Sequence, residues 1–137
     1  MTELLSPAGG REALAAAVQN GADAVYMGFG SFNARRSARN FSDEEFLAAV
    51  RYCHLRGVKV YLTLNTLVTD RELPKVAEHI TAAARAGVDA LIVQDLGVAA
   101  LSRQIAPQLA LHASTQLTVH SLEGVRELAA LGVSCVV

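Results

Sequence analysis

Ala86-Gly87-Val88-Asp89-Ala90-Leu91-Ile92-Val93 is the stretch that decides how this chain is read. An alanine-rich amphipathic segment runs into the glycine, and a short run of wholly apolar residues follows the aspartate. A helix closed by glycine and followed by a strand that is apolar on both faces is one βα unit seen from its second half. The phrase recurs as Asn20-Gly21-Ala22-Asp23-Ala24-Val25-Tyr26-Met27, as Arg56-Gly57-Val58-Lys59-Val60-Tyr61-Leu62, and as Leu131-Gly132-Val133-Ser134-Cys135-Val136-Val137. The last copy reaches the end of the sequence inside its apolar run. Repeated units of this kind build parallel sheets with helices on the outside.

Working outward from the phrase, Glu3 to Ser6 reads as a first strand ended by Pro7, because proline cannot donate to a sheet ladder. Arg11 to Asn20 reads as a helix carried by Ala13, Leu14, Ala17 and Val18, and Ala24 to Met27 as the second strand. A long polar loop runs from Gly28 to Phe41. Ser42-Asp43-Glu44-Glu45 is a capping box opening a helix to about Arg56, with Phe46, Leu47, Val50 and Leu55 inward. Lys59 to Leu64 is the third strand. Asp70 to Ala86 is mostly helix, with Pro74 in its first turn. Ala90 to Val93, Val98 to Ile105, Leu109 to Ala113, Ser121 to Leu131 and Val133 to Val137 complete the alternation of strand and helix.

Successive repeat glycines stand 36, 30 and 45 residues apart, and the longest interval holds two units. A (β/α)8 barrel uses ~31 residues per unit when ~250 are shared over eight. No G-x-G-x-x-G opens the first helix, since Ser6-Pro7-Ala8-Gly9-Gly10 has only two adjacent glycines, so the dinucleotide-binding fingerprint is missing. The expected fold is therefore α/β: a partial (β/α)8 TIM-type barrel of about five βα units plus a sixth strand. Residues 1–137 are expected to be the amino-terminal part of one truncated barrel domain. A barrel stopped at its sixth strand leaves two sheet edges open, so the missing C-terminal part or self-association is expected to complete it.

The composition suits buried strands. Apolar residues make up 52% of the chain and charged residues 18%. The net charge of −1 excludes a general basic footprint for nucleic acid, though not a local one. The two cysteines, Cys53 and Cys135, have no CxxC spacing and cannot by themselves build a zinc or cluster site, so they read as two buried thiols in a reducing compartment. The N-terminus has no basic region followed by a long apolar one, and no apolar run approaches the ~20 residues of a membrane span. A cytoplasmic protein with no membrane partner is expected.

In a parallel α/β architecture, ligands bind at the carboxyl ends of the strands. The polar residues there are Ser6, Gly28, Asn65, Gln94, Asp95, His112, Ser114 and Gln116. His112, Ser114 and Gln116 alternate, and on an extended strand they project to one face. The second candidate is the loop from Gly28 to Asn40, whose Arg35, Arg36 and Arg39 could grip a phosphate or carboxylate through forked contacts. His54, His79 and His120 lie in or beside helices and read as surface or structural residues. No nucleophile elbow, zinc motif or aspartate dyad is present, and Asp95 could complete a triad with His112 and Ser114 only if the fourth strand's end faces them.

Five motifs in order carry a resemblance: Glu3-Leu4-Leu5-Ser6-Pro7-Ala8-Gly9, Gly21 to Gly28, Leu62-Thr63-Leu64-Asn65-Thr66, Gly87 to Asp95, and His112-Ala113-Ser114-Thr115-Gln116. Together the chain resembles the amino-terminal barrel of the collagenase-like peptidase family, number thirty-two of the peptidases of unknown mechanism. Its wording is most similar to the branch that includes a ribosomal RNA cytidine hydroxylase. The resemblance implies a (β/α)8-type barrel, with a function either in peptide hydrolysis or in hydroxylation of RNA. It implies RNA (tRNA or rRNA) or a small carboxylate as partner. For the full-length protein it implies an iron–sulfur cluster or prephenate as cofactor. The family's cluster cysteines lie downstream of this segment, so no cofactor and no metal is assigned to this chain. By motif, Arg35 matches the family's loop arginine, and Asn65, Asp95, His112, Ser114 and Gln116 match its strand-end residues. The expected reading is an RNA-hydroxylating enzyme with His112 as proton donor or substrate partner. Arg35, Arg36 and Arg39 would then hold phosphate or carboxylate, and Asn65, Asp95, Ser114 and Gln116 would line the substrate pocket. The alternatives are a collagenase-like peptidase and a non-catalytic folding or assembly segment.

Overall fold

The computed structural model describes residues 2–32 and 41–137. Six strands alternate with five helices in the order β1 (Leu5–Pro7), α1 (Arg11–Gln19), β2 (Ala24–Gly28), α2 (Asp43–His54), β3 (Lys59–Leu64), α3 (Leu73–Ala86), β4 (Ala90–Val93), α4 (Leu96–Ile105), β5 (Ala110–Ala113), α5 (Leu122–Ala130) and β6 (Cys135–Val136). The strands form one sheet in sequence order, each parallel to the next. Leu14, Phe46, Ile80, Val98 and Leu128, one from each helix, all pack into a single core with Val25, Leu62, Leu91 and Leu111 of the sheet. All five helices therefore cover the same face. A doubly wound sheet divides its helices between two faces and reverses its strand order, so this is a barrel wall. The opposite, lumen face carries a smaller cluster of Ala24, Tyr61, Ala90 and Ile92, with Leu5, Tyr26 and Ala110 beside it.

The repeated phrase has a specific mechanical content. Gly87 ends α3 with φ 79° and ψ 32°, a left-handed conformation that a β-carbon disfavours, and the three matching glycines share the sign. Two residues later the chain is pinned to the preceding strand. The Asp89 amide donates to the Val60 carbonyl at 2.8 Å, and the Asp89 carboxylate accepts from the Val60 amide at 2.7 Å. Asp23 makes the same pair of bonds to Leu4, at 2.9 and 2.7 Å. Ser134 reaches only the Leu111 carbonyl, through its amide at 2.8 Å and its hydroxyl at 3.1 Å. In these three copies the residue two after the glycine ties the new strand to its neighbour and so fixes its register.

Several expectations are refined. The Ser42–Glu45 capping box is formed in both directions, at 3.0 and 3.3 Å. The inward face of α2 is Phe46, Ala49, Val50 and Cys53, whereas Leu47 and Leu55 point to solvent. Counted from Phe46, the stripe at i+3, i+4 and i+7 falls on Ala49, Val50 and Cys53, which leaves Leu47 off the buried face and Leu55 at the C-cap. Pro7 is the last residue of β1 rather than a residue beyond it, a position on an edge strand where a missing amide is tolerated. Cys53 is buried as expected, but Cys135 is exposed, because it lies on the lumen face of the other edge strand.

Candidate functional site

The lumen face gathers polar groups from β3, from β5 and from the segment before β1. His112 sits on β5, in register with Ile92 of β4 and Cys135 of β6. Its ring meets the ring of Tyr61, two strands away on β3, with centroids 4.7 Å apart and planes at 76°. The two can meet across β4 because that strand presents Ala90 level with Tyr61, and a methyl group leaves room for both rings. The Tyr61 hydroxyl donates to Glu3 Oε1 at 2.6 Å, and Lys59 Nζ donates to Glu3 Oε2 at 2.8 Å. Lys59 and Tyr61 are alternate residues of one strand, so both point to the lumen side.

The electrostatics follow from these contacts. The Lys59 ammonium, and then the Tyr61 hydroxyl, hold the Glu3 carboxyl below the usual carboxylate range, against the effect of burial. Burial pushes the Tyr61 phenol up, and the adjacent Glu3 carboxylate adds to this. Burial pushes His112 below the ordinary histidine range; Glu3 opposes that and Lys59 reinforces it. The imidazole is thereby favoured in its neutral form, with one donor and one acceptor nitrogen. Neither nitrogen has a hydrogen-bond partner among the described residues.

The other strand-end candidates do not join His112 in a row. β5 stops at Ala113, and Ser114 turns inward to cap the 3-10 turn Thr115–Leu117, accepting from the Gln116 amide at 3.3 Å. Ser114 is 5% exposed. Gln116 lies inside that turn, where its carbonyl accepts from the Gln94 side chain at 3.5 Å. The alternating face expected for His112, Ser114 and Gln116 is thus broken, because serine bonding to a nearby amide competes with an extended strand. Asp95 caps α4, accepting from the Val98 amide at 3.0 Å and from the Val68 amide at 3.4 Å. Both its oxygens are engaged by backbone, so it does not complete a triad with His112 and Ser114. Asn65 follows β3 directly and is half-buried.

Arg35, Arg36 and Arg39 lie outside the described residues. Phe29 bridges Phe41 and stacks on Phe46 at 4.8 Å, while Phe32 stands edge-on to His79 at 5.2 Å. Gly30, at φ 63°, lies so close beneath His79 that a β-carbon there would fall 2.2 Å from Nε2. His79 is a packing residue at the loop base.

The two cysteines do not fit an iron–sulfur cluster. Cys53 lies in the helix-side core with its thiol pushed up to about 11 by burial, and Cys135 lies on the other side of the sheet. No group of three or more potential metal ligands occurs among the described residues. Likewise, no described helix is long and apolar enough to cross a membrane.

Reading the residues singly misses Glu3, Lys59 and Tyr61. The available signal is the i, i+2 pair Lys59 and Tyr61 in an otherwise apolar strand, which places a charge and a hydroxyl on one face.

The family model for peptidase family U32 matches residues 9–137. The chain is 41% identical over 135 residues to the 23S rRNA 5-hydroxycytidine C2501 synthase of Escherichia coli, covering 98% of this chain and 20% of that protein. It is 39% identical over 136 residues to tRNA hydroxylation protein P of Helicobacter pylori, covering 98% and 32%. It is 37% identical over 125 residues to a collagenase of Porphyromonas gingivalis, covering 90% and 30%. The chain thus spans between a fifth and a third of the length of these relatives. The solved structure of a U32 peptidase superposes with a TM-score of 0.79 at 16% identity, over 99% of this chain and 57% of that one.

Proposed function

The chain belongs to peptidase family U32, and from that premise we propose that it supplies the amino-terminal part of a barrel whose lumen binds RNA for hydroxylation of a base. Two of its relatives are named for hydroxylation of rRNA or tRNA, and each aligns over 98% of this chain. The observation that carries the reading over proteolysis is Ser114. This strand-end serine, two residues from His112, is buried and already engaged in capping a turn, so it is not presented to His112 as a nucleophile. A neutral histidine with both nitrogens open suits hydrogen bonding to the edge of a base. Arg35, Arg36 and Arg39 would hold phosphate or a small carboxylate, and Asn65 and Gln116 would line the mouth.

The test uses the full-length protein in cells that lack the endogenous gene. Nucleosides from rRNA and tRNA are read by mass spectrometry after complementation with wild type, His112→Ala and Arg35→Ala. Loss of a hydroxylated nucleoside in both variants is the expected result. Unchanged modification in both would sink the assignment. The family name and the collagenase relative support a peptidase as second reading. Cleavage of denatured collagen by the purified protein, abolished in His112→Ala, would favour it.

A further inference from the structure

We propose that Tyr61 is a positioning residue for His112, held in place by a chain of contacts from Lys59 through Glu3 across the floor of the lumen. The proposal rests on the reading of His112 as a pocket residue, but its test does not need that activity.

The geometry carries it. Tyr61 is 5% exposed and is anchored at its far end by the 2.6 Å bond to Glu3. Glu3 precedes β1 and has no ladder of its own to hold it; the 2.8 Å contact from Lys59 fixes its other oxygen. A ring pinned at its hydroxyl cannot swing, so its contact with the imidazole at 4.7 Å is held in one orientation. Edge-to-face aromatic contacts are directional, and one whose far end is tied to the segment before β1 fixes the partner ring without occupying its nitrogens. Those nitrogens stay available to a ligand.

The chain also sets the field at His112. Among the described residues, the titratable groups on the lumen side are Glu3 before β1, Tyr26 of β2, Lys59 and Tyr61 of β3, and Cys135 of β6, while β4 offers only Ala90 and Ile92. Glu3 and Lys59 act on the imidazole with opposite sign. Removing each link therefore moves His112 in a direction that general loosening does not reproduce.

The experiment follows carbethoxylation of His112 in the full-length protein by diethyl pyrocarbonate, read by peptide mass spectrometry from pH 5 to 8. Only the neutral imidazole has a lone pair to attack the reagent's carbonyl, expelling ethyl carbonate, so the pH midpoint of the rate reports the protonation of His112. Tyr61→Leu opens the site to water and should raise the midpoint by about half a unit and the limiting rate severalfold. Lys59→Met, at an exposed position, should raise the midpoint while leaving the fold intact. Glu3→Gln should lower it. Opposite shifts for Glu3→Gln and Lys59→Met, with a faster limiting rate in Tyr61→Leu or in Tyr61→Phe, support the proposal. Unchanged midpoints in all variants, shifts of the same sign for Glu3→Gln and Lys59→Met, or a limiting rate in both Tyr61 variants equal to that of the wild type, overturn it. Failure here leaves the nucleoside assay of His112→Ala untouched, so the two readings fail separately.

Discussion

Asp89→Ala removes one side chain from the phrase that organises the fold, and its cost can be worked from two contacts. The carboxylate accepts from the part-buried Val60 amide at 2.7 Å, and it meets His54 Nε2 at 3.0 Å. A hydrogen bond to a charged acceptor contributes about 1.5–3 kcal/mol when its loss leaves a donor buried. The His54 pair is 40% and 37% exposed, so solvent screening holds it to ~0.5 kcal/mol. The expected loss is about 2–3 kcal/mol, most of it at Val60. Asp89→Asn keeps an acceptor for the amide and should lose about 1 kcal/mol. His54→Ala should lose no more than ~0.5 kcal/mol. Urea unfolding gives the global value, and hydrogen-exchange mass spectrometry on the peptide containing Val60 gives the local one. There a loss of 2 kcal/mol appears as roughly 30-fold faster exchange. If Asp89→Ala exchanged at the wild-type rate, or if His54→Ala cost as much as Asp89→Ala, the account of Asp89 as a register pin would be wrong.

Gly87→Ala should cost about 1 kcal/mol from its left-handed backbone alone, since nothing lies within 4 Å of the added carbon. Gly132→Ala should cost more in the same urea titration, because its β-carbon would fall 2.8 Å from Arg103 Nε, in a guanidinium that donates to the carbonyls of Pro107, Leu109 and Gly132. On acidification the unfolded chain protonates His112 before the folded one does. The stability this group contributes is whole above its ordinary value of 6.5 and is lost as pH falls below it, and His112→Gln should flatten that limb of the stability–pH curve. Glu3, held low in the folded state, adds a second loss as pH falls below its ordinary 4.5, measurable as a change in slope that Glu3→Gln removes. Iodoacetamide at neutral pH should label exposed Cys135 and spare buried Cys53, whose thiol is pushed up to about 11; equal labelling in the native protein would contradict the burial.

The fold was legible because its signals are local and repeated. Gly87 needs its left-handed turn, Asp89 needs its strand amide, and Ala90 to Val93 is apolar on both faces because both are covered. Every copy of the phrase marks the same junction, so each confirms the others. The inward face of α2 was less legible, because Leu47 and Leu55 look apolar enough to be buried, and only strict i, i+3, i+4, i+7 spacing from Phe46 puts the smaller Ala49 and Cys53 inside instead. At the site, the lumen position of His112 followed from strand alternation, but its surroundings did not. Ser114 and Gln116 left the expected row because a serine can cap a turn as readily as continue a strand. Asp95 was placed at the right strand end, but two backbone amides claim its oxygens. Glu3, Lys59 and Tyr61 escaped notice because their meeting spans up to 58 positions in the chain, and no local pattern records a contact of that range.

The charge state of the lumen restricts what His112 can do on the proposed reading. A cationic histidine would attract a phosphate, whereas burial in a wall lined with Ala24, Ala90, Ala110 and Ile92 disfavours the charged form of this one. The ammonium nearby is already paired, since Lys59 is held by Glu3. The described lumen thus offers hydrogen-bonding edges and aromatic faces and no unpaired positive charge, which matches an uncharged heterocycle and not its phosphate. Affinity for a polyanion must then come from cations outside the described lumen, and Arg35, Arg36 and Arg39 are the cluster that the sequence provides after β2. This division gives the two variants of the nucleoside assay different signatures. Arg35→Ala should weaken RNA binding and make it less sensitive to salt. His112→Ala should leave RNA binding nearly intact while modification is lost. Equal salt dependence in the two variants would mean that base and backbone recognition are not divided in this way.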